Sequence, residues 1–483
     1  MARSSRTASP RRRWKRTWRD GDHLPGEALR RLYAAWAEGG VGLILSGNVM
    51  VDPTALTGPG AVVLDAGQPL EPFKAWARAA RRGDGHAWLQ LSHPGRQIMK
   101  AMGQGAVAPS AIGVSIDGVS HLFATPRALE PAEIAAIVER FATASQMAEA
   151  AGFTGVEIHA AHGYLISQFL SPLTNRRTDQ WGGSLENRAR LLLDVIKAVR
   201  ARVSPGFCVG VKLNSADFQK GGFDRADAIQ VVRWLNALPV DLVELSGGSY
   251  ESPAMAGAPK DGGTNAREAY FVDFARGIGA VARMPIMVTG GIRRRAVAEQ
   301  ALRPDAGLPG VAMIGVATAM AFEPALPAKW RGNTMPEVAV PEITWKKKVF
   351  ASLAAMAVVK VQLNRLGAGA RAEAEGLAAA GPDRQPVERE PSDQALPRLD
   401  RPPGGVDPRL GLRRVAREPG AQSGQHLVAH RVARAAAPGD GEGQACSSCR
   451  CRADRAGCSA RRRQPCGRSN AARWRRRVRP RPG

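Results

Sequence analysis

Seven times between residues 41 and 317 a short apolar run is followed by a segment with helical spacing. Few folds accommodate that alternation. The runs VGLILSG, HAWLQLSH, GVEIHAAH, CVGVKLNS, DLVELSGG, PIMVTGG and GVAMIGVA read as strands, each with a helix after it, and GEALRRLYAAWAEGG reads as a helix ahead of the first. Strands apolar on both faces need helices outside and side chains filling the inside, which describes a parallel sheet closed into a barrel. The expected class is therefore α/β, a (β/α)8 TIM barrel, occupying residues 21–366.

In such a barrel the chemistry gathers where the βα loops converge, at the C-terminal ends of the strands. Read in order, those ends carry Asn48, then Gln90 with His93 and Arg96, then His159, His162 and Tyr164. Lys212 and Asn214 follow, then Ser246-Gly247-Gly248, Thr289-Gly290-Gly291 and the stretch from Gly315 to Thr318. One rim thus collects groups for a flat ring, two histidines and two glycine-rich turns. The last two strand positions are where barrels commonly hold a phosphate on backbone N–H groups, although a lone Gly-Gly is ordinarily a plain turn.

Lys212 ends an otherwise apolar strand, and a lysine facing a barrel mouth needs an anion, an electron-rich ring or a loop carboxylate beside it. His159 and His162, three residues apart, can converge on one substrate oxygen, with the Tyr164 phenol placed to deliver a proton. Zinc binding by the H-x-x-H spacing and simple core packing are the alternatives. The zinc reading lacks the glutamate of H-E-x-x-H and any third ligand in the segment.

The run EIHAAHGYLISQFLSPLTNRRTDQWGGSLENRARLL, together with QLSHPGRQ, GVKLNSADFQKGGF, VELSGGSYESP and MVTGG, resembles the old yellow enzyme or NADH:flavin oxidoreductase family across the whole middle of the chain. The resemblance implies FMN as cofactor, reduced by NADH or NADPH, followed by hydride transfer to an activated alkene such as an enone. It also implies roles for residues. Gln90 and Lys212 would lie on the pyrimidine side of the flavin ring, with Asn48 at a neighbouring strand end. Gly290 and Gly291, with Gly315 and Thr318 after the next strand, would lie at its phosphate. His159 and His162 would hold the substrate oxygen and Tyr164 would protonate the α-carbon. Lys212 stands where many relatives have arginine, and Thr318 where many have an arginine at the phosphate, leaving backbone amides or Arg293 to Arg295 to anchor it.

The family's first barrel strand has no counterpart. Its place reads TASPRRRWKRTWR. With GC-rich codons, Thr7 to Arg19 can be written so that a frame starting one base earlier spells NRIAQAAMEENMA. Arg371 onward can be written so that a frame starting one base later spells APKPKVSPLRALIANQ. Both resemble family text. Residues 1–20 are accordingly expected to be an aberrant basic segment and 367–483 a disordered Arg/Pro/Gly-rich tail, largely out-of-frame translation.

The formal net charge of the chain is +25, yet the middle carries only roughly +6. The basicity thus belongs to the ends, and nucleic acid is not expected as a partner, the bound molecule being a small carbonyl-bearing alkene. A basic protein whose arms bind nucleic acid, with the barrel as passenger, is the reading this sets aside. No apolar run is long enough to span a bilayer and the start lacks a secretory apolar core. Only Cys208 of the six cysteines lies in the middle, and the other five match neither zinc nor iron–sulfur spacing. These features predict a cytoplasmic flavoprotein without a metal. The competing reading is an impaired family member, open at its first strand and holding FMN weakly or not at all.

Overall fold

The computed structural model describes residues 23–83, 85–252, 271–341, 343, 348–370 and 427–430, with backbone alone at 348–353 and 427–430. The chain divides into residues 1–433 and 434–483, and the second part lies wholly outside the described residues, as does the basic segment 1–20.

The strands are β1 (Leu43–Met50), β2 (Val62–Val63), β3 (His86–Ser92), β4 (Ala106–Ala108), β5 (Pro126–Ala128), β6 (Gly155–Ala160), β7 (Cys208–Asn214), β8 (Leu242–Ser246), β9 (Ile286–Thr289), β10 (Met313–Val316) and β11 (Leu427–His430). The helices are α1 (Glu27–Glu38), α2 (Glu71–Ala80), α3 (Pro131–Ala150), α4 (Leu165–Leu170), α5 (Leu185–Arg202), α6 (Arg225–Leu235), α7 (Val272–Gly279), α8 (Arg295–Leu302), α9 (Thr318–Phe322), α10 (Leu326–Arg331) and α11 (Lys348–Gly367).

All seven runs read as strands from the sequence form strands, and they pair in parallel in the order β10-β9-β8-β7-β6-β3-β1. The long crossover helices start where local chemistry starts them. Ser184 accepts a hydrogen bond from Asn187 N at the head of α5, and Asp224 accepts one from Asp227 N at the head of α6. At α3 the N-cap Glu130 and Glu133 form a reciprocal capping box, with Pro131 at the first position.

The place of the missing first strand lies between β10 and β1, and β11 occupies it. Ile314, Gly315 and Val316 pair with His430, Ala429 and Val428, while Leu43, Ile44 and Leu45 pair with Ala429, Val428 and Leu427. The tail expected to be disordered therefore contributes a strand, and it runs antiparallel where its neighbours run parallel to one another. Two open strand edges present unpaired N–H and C=O groups to any segment that reaches them, which is the physical reason a tail segment settles there. Residues 371–426 and 431–483 lie outside the described residues.

The core has two compartments. Outside the sheet, Tyr33 and Trp36 of α1, Phe73 and Trp76 of α2 and Phe153 form a chain of edge-on and tilted ring contacts under the helices. Inside the barrel, Leu43, Leu45, Trp88, Leu242 and Met287 form an apolar plug at the N-terminal ends of the strands. Trp88 fits because its neighbours are glycines: a Cβ on Gly155 or Gly210 would stand 2.7 or 2.8 Å from the indole. No described helix is long and apolar enough to cross a membrane.

Candidate active site

Two residues further along each strand the barrel interior turns from apolar to charged. Strand alternation brings Gln90 (β3), Glu157 (β6), Lys212 (β7) and Glu244 (β8) inward above the Trp88 plug, and all four are at most 2% exposed. Parallel pairing sets Gln90 beside Glu157 and Lys212 beside Glu244. Gln90 Nε2 donates to Glu157 Oε2 at 2.6 Å, and Lys212 Nζ lies 2.8 Å from Glu244 Oε1. Burial, and then the nearby Glu244 charge, push the Glu157 carboxyl well above the usual carboxylate range.

Above this layer, β6 ends in the turn that carries the two histidines. Ala161 N donates to His159 Nδ1 at 3.2 Å, which assigns the proton of the neutral ring to Nε2. His162 Nε2 lies 2.7 Å from Ser246 Oγ of β8; with the serine as donor, the imidazole proton sits on Nδ1. His159 Nε2 and His162 Nδ1 are both buried and have no hydrogen-bond partner. The ring centroids are 5.1 Å apart. Burial holds both pKa values well below the ordinary histidine range, helped at His159 by the neighbouring His162 and at both by Lys212. With Ser246 donating to His162, the site presents two neutral imidazoles, each with an N–H that has no partner. An unsatisfied buried donor costs ~1–3 kcal/mol, so the arrangement is one that an acceptor arriving from outside relieves.

The turn itself is held rigidly. His162 has a positive φ of 59°, and its N–H donates to Asn214 Oδ1 at 3.1 Å while its carbonyl accepts from Gln97 Nε2 at 3.1 Å. Gln168 of α4 donates to the Pro94 and Gly163 carbonyls, tying this turn to the loop after β3. Tyr164 follows at the N-cap of α4, buried, its ring 4.7 Å from that of His159. Its hydroxyl lies 2.9 Å from that of Tyr250 and also bonds the Asn48 side chain. Burial outweighs those two bonds and raises the Tyr164 pKa, so the phenol keeps its proton.

Asn48 was expected beside the flavin; its side chain reaches Tyr164, and its Oδ1 is left without a partner. His93 accepts from Gly95 N and stands 4.0 Å from Asp52, with burial lowering its pKa to about 4. Arg96 does not face the ring site. It donates to Gly113 O and pairs with Glu251 at 2.5 Å, and Glu251 also accepts from Ser115 N, so the loops after β3 and β8 are tied over the mouth.

The rim after β9 and β10, where a phosphate was expected, is built differently. Gly290 and Gly291 leave β9 with φ of 129° and 69°, conformations that side chains resist, and Gly291 is exposed. Gly315 is not a loop residue. It sits buried inside β10, paired with Thr289 and Ala429. Thr318 is exposed at the first position of α9. Of the nearby arginines, Arg295 pairs with Glu299 at 2.7 Å and Arg293 lies 3.5 Å from Glu337.

Sequence reasoning did not single out Glu157, Glu244, Tyr250 or Glu251. The two glutamates were detectable: each is the one charged residue in an apolar strand, at the same alternation as the inward-facing Lys212.

These residues fit FMN. A buried cation and carboxamide suit one edge of a flat, electron-rich ring, the buried His159 Nε2 and His162 Nδ1 have no partner, and Gly290 and Gly291 follow β9 in positive-φ conformations. The family model of the NADH:flavin oxidoreductase / NADH oxidase family matches residues 17–334. The NADH-dependent flavin oxidoreductase iliE of Hypocrea jecorina is 39% identical over 327 residues, covering 63% of this chain and 80% of that protein. The NADH-dependent flavin oxidoreductase nadA of Aspergillus parasiticus is 36% identical over 309 residues, covering 63% and 68%. Among solved structures, morphinone reductase in complex with tetrahydroNAD is similar at a TM-score of 0.54 and 28% identity, over 67% of this chain and 86% of that one. A 2-naphthoyl-CoA reductase complex shares the fold at a TM-score of 0.60 and 24% identity, over 71% of this chain and 53% of that one. The chain belongs to the NADH:flavin oxidoreductase / NADH oxidase family, a family of FMN-dependent enzymes reduced by a nicotinamide nucleotide.

Proposed function

We propose that this flavin oxidoreductase uses NADH as reductant and reduces activated alkenes of the enone type. The observation that carries the reading is the pair of sealed, unpartnered imidazole nitrogens, His159 Nε2 and His162 Nδ1, beside the protonated Tyr164 hydroxyl. FMN held here would supply the redox chemistry, accepting hydride from a nicotinamide and donating it to the β-carbon of an alkene. Gln90 and Lys212 would hold the pyrimidine edge of its ring, and Gly290 and Gly291 its phosphate, with Thr318 alongside. The fungal relatives, NADH-dependent flavin oxidoreductases, favour NADH.

The chain's own contribution is orientation and charge. His159 and His162 donate two hydrogen bonds to the carbonyl oxygen and stabilise the negative charge that builds there. Because both rings are neutral, they polarise that oxygen without protonating it. Tyr164 gives its proton to the α-carbon, and Tyr250 and Asn48 orient its hydroxyl. Nicotinamide and alkene occupy the same place in turn, so one pair of donors serves both.

Titrating the FMN-loaded protein with a phenol tests the oxyanion reading. His159→Ala should weaken phenolate affinity tenfold or more, corresponding to the ~1.5–3 kcal/mol of a hydrogen bond to a charged group. Unchanged affinity removes His159 from the role. The antiparallel closure at β11 favours a second reading, a family member with impaired FMN binding. A colourless preparation that added FMN does not turn yellow supports that reading and excludes the first.

A further inference from the structure

The layer beneath the proposed ring site contains one charge too many. Glu157 and Glu244 are 0% exposed and Lys212 2% exposed, and Gln90, 1% exposed, is the neutral member. Two ionised carboxylates with one ammonium would leave a bare negative charge in the barrel core, at a cost of several kcal/mol. The hydrogen bonds tell the same story. Gln90 serves Glu157 Oε2 and Lys212 stands 2.8 Å from Glu244 Oε1, while Glu157 Oε1 and Glu244 Oε2 are sealed from water without a donor. The two carboxyls nevertheless lie within hydrogen-bonding reach of each other. Acceptors alone cannot make that contact; one proton between them can.

We propose that Glu157 and Glu244 share a single proton, so that the Gln90, Glu157, Lys212 and Glu244 layer is neutral as a whole and its one negative charge, held by either carboxyl, sets how much of the Lys212 charge reaches the flavin. The two glutamates are positioning residues. They act through Lys212, which approaches Glu244 at 2.8 Å, and through the Gln90 carboxamide, whose Nε2 is committed to Glu157 and whose oxygen is thereby turned toward other donors. The proposal rests on Lys212 lying at the flavin, but not on the histidine and tyrosine roles.

A shared proton makes an uncommon prediction about substitutions. In Glu157→Gln the amide replaces an acid that was already neutral, and Glu244 keeps the charge. In Glu244→Gln the proton leaves and Glu157 takes up the charge, still supported by Gln90. Each single variant therefore preserves the net charge, and only the double variant loses it.

The test is infrared spectroscopy of the holoprotein at neutral pH, combined with the flavin midpoint potential. A protonated-carboxyl C=O band is expected in the natural protein and should vanish in both single variants. The singles should leave the midpoint potential nearly unchanged. The double variant should favour reduced over oxidised flavin at least tenfold, an upward shift of about 30 mV for a two-electron couple. A band that neither single variant removes overturns the proposal, as do single variants that each shift the potential as far as the double. If the double variant does not fold, the two single-variant spectra still decide. A shared band with no shift in a folded double variant overturns the coupling to flavin through Lys212, whereas failed alkene reduction leaves both readouts intact.

Discussion

The barrel's two sides are held closed by different means. From β3 to β8, polar side chains of the site meet partners across the staves, Gln90 on Glu157 and Lys212 on Glu244 between neighbouring strands, and His162, just after β6, on Ser246 of β8. From β9 round to β1, closure runs through β11, which arrives from more than fifty residues beyond the end of α11 and lies antiparallel. The first side is fixed by buried side-chain chemistry and the second by backbone pairing. Substitutions should therefore be felt acutely on the β3–β8 side, while the β9–β1 side should respond to changes in backbone and chain length.

Lys212→Met should have the largest effect, because it leaves the negative charge of the glutamate pair buried without a counterion, at ~3–5 kcal/mol. Chemical denaturation and flavin retention should both register it. A Lys212→Met protein as stable as the natural one would show that the layer is not held by charge. Removing the chain after residue 370 tests the opposite side. Loss of β11 should reopen the edges of β10 and β1 and lower the thermal midpoint by several degrees, roughly 1–2 kcal/mol in a domain of this size. An unchanged midpoint would mean that the seam does not depend on the tail.

Gly290→Ala is milder. Its φ of 129° makes any side chain strained, at ~1–3 kcal/mol, and the expected outcome is weaker FMN retention, measured by fluorescence of released flavin, with the apoprotein still folded. Retention equal to the natural protein would take Gly290 away from the phosphate. The smallest effect concerns pH. His93, His159 and His162 have depressed folded-state pKa values, so below about 6.5 the unfolded chain binds protons that the folded chain does not, and stability falls as pH falls. The proton held by Glu157 acts in the opposite direction, since a raised pKa favours the folded state at lower pH. Three histidines against one carboxyl leave a small net loss of stability from pH 7 to pH 6. Denaturation curves that coincide at the two values would contradict the neutral-histidine assignment.

The sequence made one side of the barrel far more legible than the other. Strands apolar on both faces announce themselves, and His159, His162 and Tyr164 stood out because they end such a strand. Glu157 and Glu244 each show in the sequence as the one charged residue of an apolar strand, but what they meet depends on register: only pairing across β3, β6, β7 and β8 shows that they face Gln90 and Lys212. Tyr250 lies in a loop, and nothing local in its sequence says that it reaches the Tyr164 hydroxyl from 86 residues away. The closing strand was illegible for a different reason. LVAH lies in a stretch of Arg-, Pro- and Gly-rich composition, and its pairing is specified by the two edges it fills.

If Tyr164 delivers the proton to the alkene, as proposed, it takes no part in flavin reduction. Rapid-mixing kinetics of Tyr164→Phe separates the two half-reactions. Flavin reduction by NADH should keep its natural rate, while reoxidation by an enone should slow by ~10²–10⁴-fold, the usual contribution of a positioned general acid. Equal losses in both half-reactions, or none in the second, would contradict the account.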